Sequence, residues 1–365
     1  MKVAIVHEML IKLGGAERVV LELQKIFPDA QLFTSIFDRK KCGAVFDEKK
    51  VRTSFLQKYF RAGVPLNFLR LKMLAAFESF DFSGFDLIVS STSAFAHSIL
   101  VAPPARHVCF CHSPARFFWD WHFQILRDEN FSKLVKFFFK NFAHRARTFD
   151  FAAAARPDKI LSNSKNVQKR IKKFWRRESE IVYPPVSVEK FMPAKKHENY
   201  FLIVSALQKF KRIDLAVRVF SKLPKHKLVI IGDGDEREFL ENIAGENVEF
   251  LGRKSDATVR EFIQNCRAFI FPGLDDFGIA PVEAAAAGKP VVAFGAGGIL
   301  ESARENFSAV FFRENSEESL RDALIRFFEI EENFDAGAIS SAVKKFSTKN
   351  FRENFLRAAQ IRDWV

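Results

Sequence analysis

Two carboxylates, Asp275 and Glu283, stand eight positions apart in FPGLDDFGIAPVEAAAAGKPVVAFGAGGILE, the segment from Phe271 to Glu301, with Phe277-Gly278-Ile279 between them. An apolar run, CRAFIFPG, leads in. An alanine-rich run, PVEAAAAG, follows, and then PVVAF and AGGILES. Read as strand, helix and strand, the segment sets the two acids on either side of a strand-to-helix turn. Backbone N–H groups at such a turn, with the positive end of the helix dipole behind them, suit an anion such as a diphosphate. Carboxylates beside them suit the hydroxyls of a sugar or ribose. The combination implies a nucleotide-sugar site.

Three further groups could do related chemistry. Gly14-Gly15, in KLGGAER, lies between a first strand and its helix, where glycines let backbone approach a phosphate closely and helical N–H groups complement its charge. His112 ends the strand-like run HVCFCHS, and strand C-termini line the crevice of an open parallel sheet. A histidine there can donate to a sugar hydroxyl. Lys211-Arg212, in VSALQKFKRIDLAV, follows another strand-like run, and a cation there would neutralise a departing diphosphate as a glycosidic bond breaks. Lys211 is assigned to the diphosphate, with Arg212 as its neighbour. Cys109-x-Cys111-His112 has no second ligand pair at zinc-like spacing, so a buried strand end is expected there rather than a metal site.

Taken together these stretches resemble retaining glycosyltransferases of family 4, which have the GT-B fold. The family signature is normally E-x-F-G-x4-E; Asp275 here keeps the first carboxylate with a reach shorter by one methylene. The string CHSPARFFWD fits C-H-[ST]-P-x-R-[YF]-x-W-D, typical of a bacterial O-antigen-type mannosyltransferase branch. The resemblance implies that His112, Asp275 and Lys211 carry the chemistry. It implies that Glu283 binds ribose hydroxyls, and that Asp275 with the N–H groups of Phe277, Gly278 and Ile279 holds hexose and phosphate. Gly14 and Gly15 approach a phosphate. Gly232 and Gly252, in IIGDGDE and FLGRKSD, let the chain approach the base and ribose, while Gly297, Gly298 and Glu301 frame the site. Arg116, Trp119 and Asp120 shape an acceptor pocket. The family also carries an Arg shortly after the first strand of its second domain; that position is Ala206 here.

The elements that must position these residues alternate strand and helix in two runs. The first runs through KVAIVHEM, RVVLELQKIF, DLIVSST, HVCFCHS, helical patterns over much of 114–155, KILSNS and KNVQKRIKKFW. YPPVSVEKFMP, with three prolines, interrupts it. A second run follows through YFLIVSAL, IDLAVRVFSKL, HKLVIIGDG, EREFLENIA, VEFLGR, VREFIQNC and AFIFPG. Such alternation argues for parallel sheets with crossover helices. The expected class is α/β, two doubly wound Rossmann-like domains facing a cleft: an acceptor-binding domain over 1–186 and a nucleotide-sugar domain over 187–345. The resemblance adds a C-terminal helix over 346–365 that crosses back to the first domain.

Composition limits the alternatives. No run of about 18 uncharged apolar residues is present, so no membrane span is expected. The N-terminus reads as a first strand rather than a signal peptide, and the four cysteines form no disulfide framework, so a cytoplasmic setting is expected. Residues 1–190 carry 32 Lys and Arg against 18 Asp and Glu, the remainder 25 against 26. The acid-free stretches Lys49–Ala76 and Phe131–Phe149 interleave these cations with Phe, Leu and Tyr. They suit an anionic membrane surface, peripherally at the inner face of the cytoplasmic membrane, or the solvated side of a Phe-rich core. No nucleic-acid module is recognisable, so nucleic-acid binding is set aside as a remote alternative. With no D-x-D motif or zinc ligand set, no cofactor or metal is expected. GDP-mannose is the expected donor and a glycan or lipid-linked oligosaccharide the expected acceptor. A UDP-sugar donor, or epimerisation of a nucleotide sugar on the same fold, remain the alternatives.

Overall fold

The computed structural model describes residues 1–127, 132–194 and 196–361. Phe131, which begins the second basic stretch, and residues 362–365 of the expected C-terminal helix lie outside them. The chain divides into two units, Met1–Tyr183 with Phe351–Val365, and Pro184–Asn350.

In the first unit seven parallel strands run β1 (Val3–His7), β2 (Gln31–Thr34), β3 (Val51–Thr53), β4 (Leu87–Thr92), β5 (Arg106–Cys111), β6 (Lys159–Ser162) and β7 (Glu180–Ile181). Their order in the sheet is β3-β2-β1-β4-β5-β6-β7. The chain builds outward from β1 in one direction, then returns to add β4 on its other side, so the order reverses between β1 and β4. Helices cover both faces, which is why β1 reads VAIVH with every residue buried. Its odd and even side chains enter separate cores. Val3 and Ile5 pack with Val19, Leu23, Phe110 and Phe355, whereas Ala4 and Val6 pack with Phe33, Leu56, Met73 and Phe77. Strand β4 changes character along its length. Leu87, Ile88 and Val89 fill the cores, and Ser90, Ser91 and Thr92 bring hydroxyls to the C-terminal edge, all fully buried. Buried hydroxyls require partners, and each of the three has a histidine within hydrogen-bond distance. The helix Thr348–Ala358 also belongs here through its Phe351 and Phe355, which join the β1 core, and through Arg352, which donates to Glu22 at 2.7 Å.

The second unit repeats the plan with β8 (Tyr200–Val204), β9 (Lys227–Ile231), β10 (Val248–Gly252), β11 (Ala268–Phe271), β12 (Val291–Phe294) and β13 (Ala309–Phe312). All are parallel, in the order β10-β9-β8-β11-β12-β13, and the reversal falls between β8 and β11. This is the doubly wound order that places ligands beyond the strand C-termini at the reversal. The helical pattern expected over much of 114–155 forms the helices His122–Arg127 and Lys133–Ala153, and residues 116–121 before them form turns. Long-range polar ties hold those turns open. Trp119 Nε1 donates to Asp150 at 2.8 Å, and Arg170 Nε lies 2.7 Å from Asp120.

Candidate active site

At the reversal of the second sheet, the loops after β8 and β11 bring Lys211 and Asp275 together. Lys211 Nζ donates to both carboxylate oxygens at 2.6 Å, and each side chain is about one-fifth exposed. Two residues that the sequence assigned to diphosphate and hexose thus form one ion pair, across 64 positions of chain. Backbone proximity makes it possible: a Cβ at Gly273 would lie 2.7 Å from the Lys211 carbonyl oxygen, so only glycine lets the two loops touch. Arg212 donates to Asp214 at 3.2 Å. Ala206 is exposed and supplies no charge beside Lys211.

Asp275 opens the loop leading into the helix Ile279–Ala286, whose N-cap is Gly278 at φ 88°. That left-handed conformation favours glycine and turns the chain from β11 into the helix. The Phe277 ring is buried against Phe346, so what this residue offers the site is its backbone. Gly298 N–H donates to the Asp275 carbonyl at 3.0 Å, and a Cβ on Gly298 would collide with Phe277 Cα. The Gly297-Gly298 loop is therefore pressed against the acidic loop, with Glu301 following in the short helix Ile299–Ser302. Glu283 lies one turn inside the Ile279–Ala286 helix and is buried. Gly232 ends β9 against the Ser205 carbonyl, which a Cβ would strike, while Gly252 closes β10 at φ 68°. The close approach of Gly232 is to the loop after β8, and that of Gly252 is to the Arg237 guanidinium.

At the reversal of the first sheet a chain of polar groups extends from the glycine loop to His112. Gly14 N–H donates to Glu17 Oε2 at 2.8 Å, which caps the helix Gly15–Ile26. Glu17 Oε1 lies 3.4 Å from His7 Nε2, His7 Nδ1 lies 3.2 Å from Ser91 Oγ, and Ser91 Oγ lies 2.8 Å from His112 Nε2. Burial raises the Glu17 pKa, but the His7 hydrogen bond and charge, its own backbone contact and Lys12 together bring it below the ordinary value. Burial drives His112 down to about 3, with the neighbouring His7 adding to the effect and Glu17 opposing it, so its imidazole is neutral. Beside this chain, Glu8 Oε1 accepts from the backbone N–H groups of Ser93, Ala94, Phe95 and Ala96 at 2.7–3.0 Å and from the Thr92 hydroxyl at 2.8 Å. One buried carboxylate oxygen thereby fixes the whole turn after β4.

His7, Glu8, Glu17 and Ser91 were not singled out in the sequence. A usable signal was present for His7, because it ends β1 as His112 follows β5, and strand ends beside a reversal are where polar groups gather. In the CHSPARFFWD stretch, Arg116 stacks its guanidinium 4.0 Å from the Trp121 ring centre and lies 4.0 Å from Asp120. Trp119 stacks on Phe174 at 4.9 Å. Cys109 and Cys111 are buried in β5, the Cys109 thiol pushed up to about 12 by burial. Among the described residues no group of three or more His, Cys, Asp or Glu is arranged to hold a metal ion, and no helix is long and apolar enough to cross a membrane.

Comparison with known proteins shows the family and the fold. The model of the family described as Glycosyltransferase Family 4 matches residues 13–190, and that of Glycosyl transferases group 1 matches residues 188–344. The uncharacterized glycosyltransferase MJ1178 of Methanocaldococcus jannaschii is 26% identical over 52% of this chain and 54% of its own, so the chain spans about half the length of that relative. The alpha-1,3/1,6-mannosyltransferase ALG2 of Kluyveromyces lactis is 26% identical over 82% of this chain and 71% of its own. Among solved structures, Anabaena HepE in complex with UDP-glucose superposes with a TM-score of 0.70 at 17% identity, covering 100% of both chains, a likeness of fold.

Proposed function

This chain belongs to glycosyltransferase family 4, and from that premise we propose that it transfers mannose from GDP-mannose, with retention of configuration, to a glycan or lipid-linked oligosaccharide acceptor in cell-surface polysaccharide synthesis. The observation that carries the reading is the meeting of Lys211 and Asp275 at the reversal of the second sheet, beside a helix N-terminus. A cation, a carboxylate and a helix N-terminus at one point suit a sugar joined to a diphosphate. Glu283 holds the ribose hydroxyls and Asp275 the hexose. Lys211 and the N–H groups of Phe277–Ile279 take up the negative charge that grows on the diphosphate as the C1–O bond breaks. The acceptor hydroxyl attacks C1 from the face the diphosphate leaves, and a β-phosphate oxygen takes its proton. No side chain is assigned as a nucleophile, and protein cations and dipoles supply the charge stabilisation.

Mannose is favoured by the mannosyltransferase relative and by the CHSPARFFWD string. A second reading keeps the reaction and changes the donor to a UDP-sugar, favoured by the UDP-glucose bound to HepE. The membrane-held acceptor is supported by the exposed Phe68, Phe123, Phe137 and Phe138 of the first unit, each more than 60% exposed, beside Arg70, Lys72, Lys133 and Lys140. Calorimetric titration with GDP-mannose, GDP, UDP-glucose and UDP tests the donor, with Glu283→Ala as control and its thermal transition as the check on folding. Selective GDP-mannose binding, lost in a folded Glu283→Ala protein, is the expected result. Preference for UDP-glucose transfers the reading to the second donor, and binding of none of the four overturns it.

A further inference from the structure

The polar chain from Gly14 to His112 contains a single hydroxyl hydrogen at its centre, and that hydrogen forces a choice. Ser91 Oγ stands between His7 Nδ1 and His112 Nε2. It donates to one ring and accepts an N–H from the other. If Ser91 donates to His112, His7 must carry a proton on Nδ1. A neutral His7 would then turn the lone pair of Nε2 toward the Glu17 carboxylate, which offers only lone pairs in return. If Ser91 donates to His7, then His7 Nε2–H donates to Glu17, and every contact in the chain is satisfied. His112 must in that case donate from Nε2. The tautomer of a histidine is set by the hydrogen bond its other nitrogen makes, and here the setting originates three groups away.

We propose that Glu17 is a positioning residue which, through His7 and Ser91, fixes His112 in the tautomer that carries its proton on Nε2 and presents Nδ1 as a hydrogen-bond acceptor to a substrate hydroxyl. The substrate-facing part rests on the reading of His112 as a site residue; the tautomer itself does not. The sequence reading made His112 a donor to a sugar hydroxyl, and the network reverses that polarity. Burial supports the chain as a fixed device, since His7, Glu17 and Ser91 are all at most 5% exposed and no bulk water competes for their bonds.

Glu17→Gln makes the idea sharply testable. Gly14 N–H already occupies one of the carboxylate oxygens at 2.8 Å, so the Gln carbonyl must face Gly14 and its NH2 must face His7 Nε2. His7 then becomes an acceptor at Nε2 and a donor at Nδ1, Ser91 donates to His112, and His112 moves its proton to Nδ1. The whole chain reverses. Ser91→Ala instead cuts the chain and leaves both tautomers of His112 populated.

Long-range proton–nitrogen NMR of ring-labelled histidines distinguishes the protonated from the bare nitrogen at His7 and His112 alike, and a His7 carrying protons on both nitrogens, free to donate to Glu17 and Ser91 together, would overturn the proposal. The wild-type protein is expected to show His112 with its proton on Nε2, Glu17→Gln with its proton on Nδ1, and Ser91→Ala a mixture. GDP-mannose at saturation is then expected to shift the bare Nδ1 of the wild-type protein. A proton on Nδ1 in the wild-type protein overturns the proposal, as does an unreversed His112 in folded Glu17→Gln or a single unchanged tautomer in Ser91→Ala. A Glu17 that merely capped its helix would leave His112 as it was. The substrate-facing half fails if GDP-mannose binds by calorimetry yet leaves Nδ1 unmoved. A protein that binds no GDP-mannose at all sinks the donor reading and leaves the tautomer result standing.

Discussion

Lys211→Met separates the two roles joined in the Lys211–Asp275 pair. Opposite unit charges about 4 Å apart attract by about 4 kcal/mol at an effective dielectric near 20. Desolvation offsets much of this, so a pair one-fifth exposed contributes net stability between the ~1 kcal/mol of a surface bridge and the ~3 kcal/mol lost when a buried one is broken. In the donor complex Lys211 must share its ammonium hydrogens between Asp275 and a diphosphate oxygen. One charge-assisted hydrogen bond is worth about 1.5–3 kcal/mol, so Lys211→Met should weaken GDP and GDP-mannose alike by roughly ten- to hundredfold. Asp275→Asn acts differently. It leaves Lys211 without its carboxylate competitor, so GDP affinity holds or rises, while GDP-mannose loses the carboxylate that holds its hexose and weakens by about tenfold or more. Titration calorimetry of both ligands against both variants reads the four affinities directly. Undiminished GDP binding by Lys211→Met would refute the diphosphate role, and equal losses of GDP and GDP-mannose in Asp275→Asn would refute the division of labour.

Glu8→Gln removes the charge from an oxygen that five donors share and should lower unfolding stability by about 2–3 kcal/mol, read by denaturant titration; a change under about 0.5 kcal/mol would show that the turn after β4 holds itself. His107 is buried, its Nε2 lies 2.8 Å from Ser90 Oγ, and burial, followed by the nearby His97 and Arg156, lowers its pKa to about 3. Because the folded value lies below the unfolded value of about 6.5, the unfolded chain binds a proton between them that the folded chain does not. Stability should therefore fall by about 1.4 kcal/mol per unit as pH drops through that window, and His107→Gln should lessen this slope; equal slopes for both proteins would refute the assignment. Phe137→Ser with Phe138→Ser should weaken sedimentation with anionic vesicles at low salt by at least about tenfold, since each ring contributes about 1.5–3 kcal/mol when buried in an apolar phase. Undiminished binding would move the membrane face elsewhere, with neutralised 49–76 as the next variant.

How much of the fold could be read from sequence depended on how locally each element is specified. The strands β1, β4, β5, β6, β8–β12 are apolar runs bounded by polar or glycine-containing loops, and all were legible. Strands β2, β3, β7 and β13 were not. Val51–Thr53 is an edge strand with two of its three residues exposed, and Glu180–Ile181 is two residues long, so neither carries a hydrophobic pattern. Gln31–Thr34 and Ala309–Phe312 are largely buried, and their four residues do not set them apart from β6, β11 and β12, which are as short. The helices within 114–155 are legible, but the turns at 116–121 are not, because the groups that hold them, Asp150 and Arg170, lie about 30 and 50 positions further on.

The same distinction applies to the candidate site. Asp275, Gly278 and Glu283 share one local turn, and a signature within nine residues can be read directly. The contacts that give those residues their chemistry are not local: Lys211 reaches Asp275 across 64 positions, and Ser91 stands between a histidine 84 positions before it and another 21 after it. Asp275 shows why this matters. As sequence, it is a family signature with one methylene missing. In the fold, Gly273 lets the backbone of the Lys211 loop press against the end of β11, and the ammonium reaches both Asp275 oxygens. With the two backbones so close, the shorter acid already meets its cation at 2.6 Å. A glutamate carboxylate would have to fold back or displace Lys211 to make the same bidentate contact. The shortened carboxylate and the close-packed glycine therefore belong together, and what reads as a departure from the pattern in one dimension is a matched fit in three.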